Sequence, residues 1–579
     1  MIRKVNLHIV LLLAVGLAFF LIKCSIAYRV KYVGHADAAA YAEMADSLIH
    51  GRGFEVDYIS WYFEKYDPKI VRPEDHWPPL YSMAIAPFFL IFGKTAFAAK
   101  LPSLIISCFF LPLVLYSLAK ELSGSKWPGL AAGLGIMLYP AAFGWSLLCL
   151  SDVTYAFVVS AMVLYSVKAL DDEKSFYYAG IFIGLAYYAK GTGLLLIPGH
   201  ILFHVIARRS IKKAFTHRKF LISLLIAFLI LLPWFVRNFV HFGDPLYSTQ
   251  RFTIGYWGYK NWEGGTYTLY WGEKPLPKYS DKFKDGVGFV AKNIWDYIKT
   301  YTWWTFMDIN NKWGKSNQYA FLTYFVNIPA FLGFAVLWGN KKRHIIWITS
   351  ASLVLFLSVW WYPIGRLTLP VICIMMALGW ATYFIILRMI LRALSKIPLR
   401  KLGTKLKVPF ASRLSILVPR FQPQIANLKS RIQMISLDVV AGFMVCCLAM
   451  PVVVLSTESV QTAIKKNGYP YREGAQEWMD MGSWLKENVP PDSITMTRNP
   501  WELHFYSEQL AIQIPRASLE KTIEVIRYYK PTYIIPQLNI RPSLKPLVEG
   551  EVPGLELVYD NKKIQLYKIN YDLLPKLKE

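Results

Sequence analysis

Six ionisable side chains lie where long apolar segments of this sequence begin or end. They are two carboxylates, three cations and one imidazole: Asp37, Asp152, Lys190, Arg237, Arg366 and His76. A carboxylate can act as a base that removes a proton from a hydroxyl group. Cations can stabilise the negative charge that develops on a departing phosphate, and arginine does so with a two-pronged donor face. The set therefore indicates a site for a phosphate-bearing substrate at the edge of an apolar region.

Each of these residues also has an ordinary structural explanation. Charged side chains at the ends of membrane helices are commonly solvated or extend to the lipid headgroups. Asp37 on its own could cap the helix that follows it, and His76 could form a hydrogen bond within a loop. The aromatic residues crowded between 256 and 304 could form an interfacial belt. The functional interpretation rests on convergence, because carboxylates and cations fall at one level of the apolar segments.

The composition identifies the elements that must hold these residues. The 579-residue chain is 55% hydrophobic and 18% charged, with a mean hydropathy of +0.32, which is typical of a protein with many membrane spans. Its net charge of +26 does not indicate nucleic-acid binding, since the basic residues cluster between apolar segments. The six cysteines lie in or beside those segments and form no disulfide framework. The sequence has no P-loop and no Rossmann fingerprint, so a nucleotide substrate is not indicated.

The apolar segments predict an α-helical polytopic membrane protein with about eleven transmembrane helices. The first segment could be a signal peptide, but its length favours a membrane helix. The predicted spans cover residues 7–27, 97–119, 127–148, 153–169, 175–189, 191–207, 219–240, 320–338, 344–361, 366–387 and 434–456.

The apolar run from residue 80 to 93 is too short to cross a bilayer as a helix, which takes about 20 residues. If it crossed, the later loops would invert and strongly basic linkers would face outward, against the positive-inside rule. These linkers are residues 120–126, 208–219, 341–344 and 388–431. We therefore expect an outer-face juxtamembrane helix that anchors Glu74, Asp75 and His76 beside a groove for a lipid.

The same reasoning predicts two parts in the chain. Residues 1–456 form a transmembrane domain with a first outer loop (28–96), a large outer loop (241–319) and a basic cytoplasmic linker (388–433). Residues 457–579 form a small extracytoplasmic α/β domain. Its predicted strands are SITMT, TYIIPQL and IQLYKI, and its predicted helices cover residues 473–488 and 517–529.

Several short motifs occur in a fixed order along the chain. They are Asp37-x-x-x-Tyr41 followed by GRGF, HWPPLY from His76 to Tyr81, the pair Ser151-Asp152, AKGTG, PWFVRN with GDP after it, and Arg366-x-x-x-Pro370. In this order they resemble the GT-C glycosyltransferases of the protein O-mannosyltransferase and aminoarabinose-transferase superfamily, family 39-like, over about residues 7–380. The basic linker, the last span and the outer α/β domain also resemble the bacterial members.

The resemblance implies roles for particular residues. Asp37 is the expected catalytic base, and Asp152 is expected to orient the acceptor or the surroundings of Asp37. Tyr41, His76, Tyr81, Lys190, Arg237 and Arg366 are the expected substrate-binding residues. In the aminoarabinose branch the segment before the double proline reads Glu-Lys-Pro-Pro, whereas Trp77 replaces the lysine here, and Ala40 replaces an arginine. Lys190, Arg237 or Arg366 would then supply the charge that meets the phosphate.

The resulting hypothesis is a membrane glycosyltransferase of a bacterial-type inner membrane, with its active site on the extracytoplasmic side. It would move a sugar from a polyprenyl-phosphate donor to a lipid, glycan or protein acceptor, with Asp37 as the base. No cofactor is certain; a divalent metal is possible, with His76 and Glu74 as weak candidate ligands. The alternatives are an oligosaccharide transferase or ligase that uses a polyprenyl-diphosphate donor, a lipid or sugar transporter, and a non-catalytic glycolipid receptor.

Overall fold

The computed structural model of the chain describes most of its first half and most of its C-terminal quarter. The described residues are 6–252, 268–271, 328–333, 335–337, 339–360, 365–395, 439–442, 475–536, 540–561 and 563–576, with a few single residues between 274 and 295. The predicted linker 388–433 and the predicted span 434–456 lie mostly outside the described residues, as does most of the predicted outer loop 241–319.

Helices make up most of the described chain. In order they are α1 (Leu7–Arg29), α2 (Asp37–Ile49), α3 (Leu80–Phe92), α4 (Ala96–Ile105), α5 (Leu111–Ser123), α6 (Lys126–Leu138), α7 (Pro140–Ser146), α8 (Asp152–Lys168), α9 (Ser175–Ala189), α10 (Leu196–Arg208), α11 (Ile211–Phe215), α12 (Arg218–Phe242), α13 (His344–Trp360), α14 (Leu369–Ser395), α15 (Ala475–Asn488), α16 (Pro500–Ser507), α17 (Leu519–Tyr529) and α18 (Lys545–Val548). A π-helical turn, Ile106–Phe110, joins α4 to α5.

Five helical segments of the described chain are long and apolar enough to cross a membrane. They are Leu7–Arg29, Ala96–Ser123, Gly191–Arg208, Arg218–Phe242 and Arg366–Ala393. The chain is therefore an integral membrane protein, whereas the count of eleven spans stays a prediction. One predicted span, 127–148, is two helices, because the helix ends at Tyr139, whose extended backbone is the conformation that a following proline favours.

The membrane helices pack through small residues. A side chain on Gly180 of α9 would meet the backbone oxygen of Ser223 on α12 at 2.3 Å, and one on Gly184 would meet Ile230 at 2.7 Å. Small residues at such positions let two helix backbones approach closely where lipid gives no hydrophobic drive. The largest apolar core joins α5, α6, α8 and α14, with Trp380 buried at its centre.

The first outer loop supplies two short helices. The helix α2 begins at Asp37, and the 13-residue helix α3 covers the apolar run that the sequence predicts to be too short for a span. Tyr41 on α2 packs edge-to-face on Tyr81 of α3, with ring centroids 5.5 Å apart. The two helices therefore form one packed unit beside the bundle.

A mixed six-stranded sheet lies at the C-terminal end of the chain. The strands of the described chain are β1 (Glu55–Val56), β2 (Tyr58–Ile59), β3 (Arg72–Pro73), β4 (Ile494–Thr497), β5 (Leu510–Gln513), β6 (Tyr533–Ile535), β7 (Leu555–Asp560) and β8 (Gln565–Ile569). The six strands of this sheet run in the order β2-β5-β4-β6-β8-β7. The helices α16 and α17 make the crossovers that parallel strands require.

One strand of this sheet comes from the first outer loop. Tyr58 and Ile59 of β2 pair in parallel with Ala511 and Ile512 of β5. The two helices and the strands SITMT and IQLYKI lie where they are predicted, within two residues, whereas the predicted strand TYIIPQL is observed only as Tyr533–Ile535, and its last two residues lie outside the described chain. The participation of β2 is not visible in the sequence, and it ties the C-terminal module (residues 475–576) to the loop that carries Asp37.

Candidate active site

A cluster of four charges, in which both carboxylates are buried, joins four segments of the chain. Arg366 Nη1 lies 2.7 Å from Asp37 Oδ2 and 3.7 Å from Asp152 Oδ2. On the other side, Lys190 Nζ lies 2.9 Å from Asp152 Oδ1. The order Asp37, Arg366, Asp152, Lys190 alternates in sign, so the two carboxylates and the two cations balance.

Local structure explains why each charge is placed there. Asp37 and Asp152 are the first residues of α2 and α8, where the helix N-terminus favours negative charge. Lys190 follows the last residue of α9, where the C-terminus favours a cation. Arg366 lies in a 3-10 turn, Gly365–Thr368, that leads into α14. Helix ends therefore hold four charges at one level of the bundle.

The two carboxylates of the cluster differ in solvent exposure. The Asp37 side chain is 12% exposed, whereas that of Asp152 is 1% exposed. The Arg366 side chain is 28% exposed. Asp37 and Arg366 are therefore accessible to a molecule from solvent, whereas Asp152 contacts only the two cations among the charges of the cluster.

Tyr41 and Tyr81, the two tyrosines expected to bind substrate, form hydrogen bonds in the interior of the protein. The hydroxyl groups of Tyr41 and Ser151 lie 2.9 Å apart, which connects α2 to the residue before Asp152. The Tyr81 hydroxyl donates to the carbonyl oxygen of Ala99 and lies 2.7 Å from Ser103 Oγ. Both tyrosines are fully buried, so the geometry gives them packing and hydrogen-bond roles within the described structure.

A cavity of about 350 Å³ lies beside the charged cluster. Its polar lining includes His76, Arg237, Gln250 and Arg251, and its walls include Trp77, Tyr187, Trp234 and Tyr247. Two residues of the lining relate the cavity to the cluster. The ring centroids of Trp77 and Tyr41 lie 5.8 Å apart, and Tyr41 is on the same helix as Asp37. Thr192 follows Lys190 by two residues in the sequence. The structure thus places His76 and Arg237 in the cavity and the other predicted charges next to it.

Arg237 is held in place by its neighbours. Its guanidinium donates to the carbonyl oxygen of Phe54 at 3.1 Å and to Asn238 Oδ1 at 3.0 Å, and it lies 4.7 Å from the Trp234 ring. These contacts use part of its donor capacity and fix its direction, so the remaining N–H groups are oriented before a substrate binds.

The acidic residues before the double proline have structural partners. Glu74 Oε1 accepts the backbone N–H groups of His76 and Trp77, at 2.6 and 2.9 Å. Asp75 pairs with Arg72 at 2.9 Å and accepts the Tyr66 hydroxyl. The carboxylates therefore build the turn that leads into α3.

His76 is a buried neutral imidazole in this setting. Its Nδ1 lies 2.9 Å from Thr249 Oγ1, and its ring stacks on Trp61. Burial lowers the pKa of His76 to about 3, although Asp75 opposes the shift. The neutral ring can bind a phosphate as a hydrogen-bond donor; its role as a metal ligand with Glu74 stays a prediction.

A second charged cluster lies between α2 and the C-terminal module. Glu43 Oε2 lies 2.9 Å from Lys94 Nζ and 2.8 Å from His504 Nε2, and Arg52 pairs with Asp57 at 2.6 Å. Ligand atoms of Glu43, Asp57 and His504 are close enough to share a metal ion. Lys94 and Arg52 already neutralise these carboxylates, so we assign the cluster as an ion-pair network.

This network and the cavity residues Gln250 and Arg251 were missed by reasoning from the sequence. Glu43 carried a weak signal, since it lies six residues after Asp37 in a region read as an outer loop. His504 carried none, because its partner is more than 400 residues away in the chain.

Comparisons with known proteins bear on the fold. The family model described as dolichyl-phosphate-mannose-protein mannosyltransferase matches residues 76–236. That stretch begins at His76 and includes Asp152 and Lys190. No curated protein sequence matches the chain.

Solved structures match nearly the whole chain. ArnT from Cupriavidus metallidurans in the apo state matches with a TM-score of 0.51 and 14% identity over 98% of each chain. The same protein bound to undecaprenyl phosphate matches with a TM-score of 0.51 and 13% identity, over 98% of this chain and 99% of that chain. Archaeal oligosaccharyltransferase AglB from Archaeoglobus fulgidus, in complex with an inhibitory peptide and a dolichol-phosphate, matches with a TM-score of 0.53 and 13% identity, over 97% of this chain and 75% of that chain. The chain therefore has a GT-C fold like that of the protein mannosyltransferases and ArnT, which confirms the fold that the motifs predict.

Proposed function

We propose that the protein is a membrane glycosyltransferase that moves one sugar from a polyprenyl-phosphate donor to a hydroxyl acceptor on the extracytoplasmic side. The observation that carries the proposal is the charged cluster in which Arg366 lies 2.7 Å from Asp37 and 3.7 Å from Asp152 while 28% of its side chain is exposed. The fold supports it, since the solved structures of ArnT and AglB with this fold contain undecaprenyl phosphate and a dolichol-phosphate.

Asp37 is the proposed base. Its carboxylate accepts the proton of the acceptor hydroxyl while the acceptor oxygen forms a bond to the anomeric carbon. The bond between that carbon and the phosphate oxygen breaks, and its electron pair leaves with the polyprenyl phosphate. A single displacement of this kind inverts the configuration at the anomeric carbon.

Arg366 has two proposed partners during this reaction. In the substrate-free protein it pairs with Asp37; when the donor enters, its guanidinium stabilises the charge that grows on the leaving phosphate. Asp152 is a proposed positioning residue, because its buried carboxylate holds both Arg366 and Lys190 and does not face the substrate. His76, Arg237 and Arg251 in the adjacent cavity supply further donors to a sugar or phosphate.

The cavity favours a single sugar over an oligosaccharide. Its volume of about 350 Å³ lies at the low end of ligand pockets, which span about 300–1,000 Å³. The aromatic walls suit the apolar faces of a sugar ring. Transfer of an oligosaccharide from a diphosphate donor is the second candidate, supported by the structural similarity to AglB.

The test uses purified protein and a panel of undecaprenyl phosphates that each carry one hexose or pentose. We expect the wild type to release undecaprenyl phosphate from at least one of them in the presence of envelope extract. Asp37→Asn should lower this rate by about 10²–10⁴-fold, the usual cost of a lost base. Asp67→Asn, an exposed carboxylate of the same loop, is the matched control and should be active. Wild-type turnover by Asp37→Asn would overturn the assignment of the base.

A further inference from the structure

The seven residues before Asp37 form an extended segment, residues 30–36, with an unusual backbone. Gly34 has a φ of 128° and Ala36 has a φ of 41°. A side chain on Gly34 would come within 2.4 Å of Ala38 Cβ. Non-glycine residues in such conformations are strained and persist only where surrounding contacts determine the backbone. The contacts that hold this segment therefore also decide where Asp37 lies.

Two of those contacts come from the membrane domain. Lys100 Nζ donates to the carbonyl oxygen of Val30 at 2.6 Å, and the backbone N–H of Cys149 donates to the carbonyl oxygen of Val33 at 3.4 Å. They fix the start and the middle of the segment. Among the described contacts, neither reaches residues 34–36, where the backbone is strained.

Further hydrogen bonds to this segment come from one short helix of the C-terminal module, α16. Glu502 Oε1 accepts the Tyr32 hydroxyl at 2.6 Å and lies 2.6 Å from His35 Nδ1. The Tyr506 hydroxyl accepts the backbone N–H of Val33 at 2.9 Å. Glu502 is fully buried. One face of α16 thus holds the segment up to His35, two residues before Asp37.

A third residue of the same helix holds α2 itself. His504 Nδ1 lies 2.7 Å from the carbonyl oxygen of Gln509, which can only accept, so this nitrogen carries a proton. His504 Nε2 lies 2.8 Å from Glu43 Oε2, which as a carboxylate also only accepts. With Nδ1 protonated and Nε2 beside a carboxylate oxygen, the imidazole forms an ion pair with Glu43 as a cation.

We infer that α16 positions Asp37 for catalysis, with Glu502, His504 and Tyr506 as positioning residues that act from the C-terminal module. This inference rests on the proposed function, because it assumes that Asp37 is the base. It assigns the module a part in the transfer reaction besides any role in covering the site or binding an acceptor. The participation of β2 in the module's sheet agrees with it, since β2 belongs to the same loop as α2.

The test compares Glu502→Gln with Glu508→Gln in the full-length protein. Glu508 follows α16 directly but is exposed and pairs with Lys486, so its variant is the matched control. Both are assayed with the undecaprenyl-phosphate-linked sugar that the wild type turns over, and by hydrogen–deuterium exchange of residues 31–36. We expect Glu502→Gln to lower kcat by at least about tenfold with a KM for the donor within about twofold of the wild type, since small misplacements of a catalytic group are costly. Exchange in the segment should become faster.

A second variant covers the case in which Glu502→Gln fails to fold. Tyr506→Phe removes only the hydroxyl, which accepts the Val33 N–H group and donates to the carbonyl oxygen of Lys31, and it should lower kcat in the same direction by a smaller factor. If folded Glu502→Gln, or Tyr506→Phe where the former is unstable, turns over like Glu508→Gln while Asp37→Asn is inactive, the inference is wrong and the proposed function stands. If Asp37→Asn is active, the base assignment fails and the inference fails with it.

Discussion

Arg366 and Asp37 form an ion pair, 2.7 Å between Nη1 and Oδ2, although 329 residues separate them in the chain. The pair joins the turn before α14 to the first residue of α2. It places a cation that is suited to phosphate beside the proposed base, so the two groups reach one substrate together.

Arg366 should not be replaceable by lysine. Arg366→Lys keeps the charge but loses the planar donor face that can contact a carboxylate and a phosphate together. We expect a fall in kcat of about tenfold or more and a raised KM for the donor, and a larger deficit for Arg366→Ala. Titration of the undecaprenyl-phosphate-linked donor measures both. Arg218→Lys, at the exposed start of α12, serves as the control, and an active Arg366→Ala with unchanged KM would reduce Arg366 to a helix anchor.

Asp152 should matter for stability as well as for turnover. Removing one partner of a buried ion pair typically costs about 3–5 kcal/mol, because the other charge is left unpaired. We therefore expect Asp152→Ala to lower the melting temperature clearly and Asp152→Asn to lower it less, since the amide oxygen keeps a polar group beside Lys190 Nζ. Both variants should turn over more slowly than the wild type. Equal melting temperatures for Asp152→Ala and the wild type would show that the ion pairs of Asp152 contribute little to the stability of the protein.

Because His76 is buried, the stability of the folded protein should depend on pH. Burial lowers the pKa of His76 from 6.5 to about 3, so the unfolded chain binds this proton more readily than the folded protein. Stability should therefore fall as the pH decreases from about 6.5 toward 3. His76→Asn removes this contribution, and its melting temperature should depend less on pH over that range. Parallel melting curves for the two proteins across this range would contradict the buried neutral state.

Gly34 should resist substitution. Gly34→Ala forces a side chain into a backbone with φ of 128° and within 2.4 Å of Ala38. The segment must shift, and Asp37 shifts with it, so kcat should fall by about tenfold or more. Gly53→Ala is the control. Gly53 also has a positive φ, 77°, but open space surrounds it, so this substitution strains the backbone without a steric clash. Similar turnover by the two variants would argue against a constrained segment.

The C-terminal module and Asp37 should lie outside the cytoplasm. Single cysteines at Glu520 and Lys126, both exposed, are labelled with an impermeant maleimide in spheroplasts. The Glu520→Cys protein should react in intact spheroplasts, and the Lys126→Cys protein only after permeabilisation. The reverse pattern would invert the topology and place the proposed site on the cytoplasmic side.

The sequence determined the membrane character of the chain and the level at which its charges lie. Runs of apolar residues identify α1 and α12 as spans, because burial of apolar surface in lipid depends on composition and length alone. Helix ends then place Asp37, Asp152, Lys190 and Arg366 near one level, and the order of the motifs predicted the GT-C fold. The strands β4, β6 and β8 were also predictable, since each is a short β-branched and aromatic run between turn signals.

Only the tertiary structure decided which of these residues are neighbours. Residues at one level of a helical bundle can lie on any side of it, and close packing between helices selects the side. This packing brings Arg366 to Asp37 and leaves Arg237 in the adjacent cavity. The pairing of β2 with β5 and the contacts of Glu502 and His504 with residues 32–43 likewise depend on surfaces that are more than 400 residues apart in the chain. No local pattern records such contacts, because side-chain complementarity between distant segments exists only after the chain has folded.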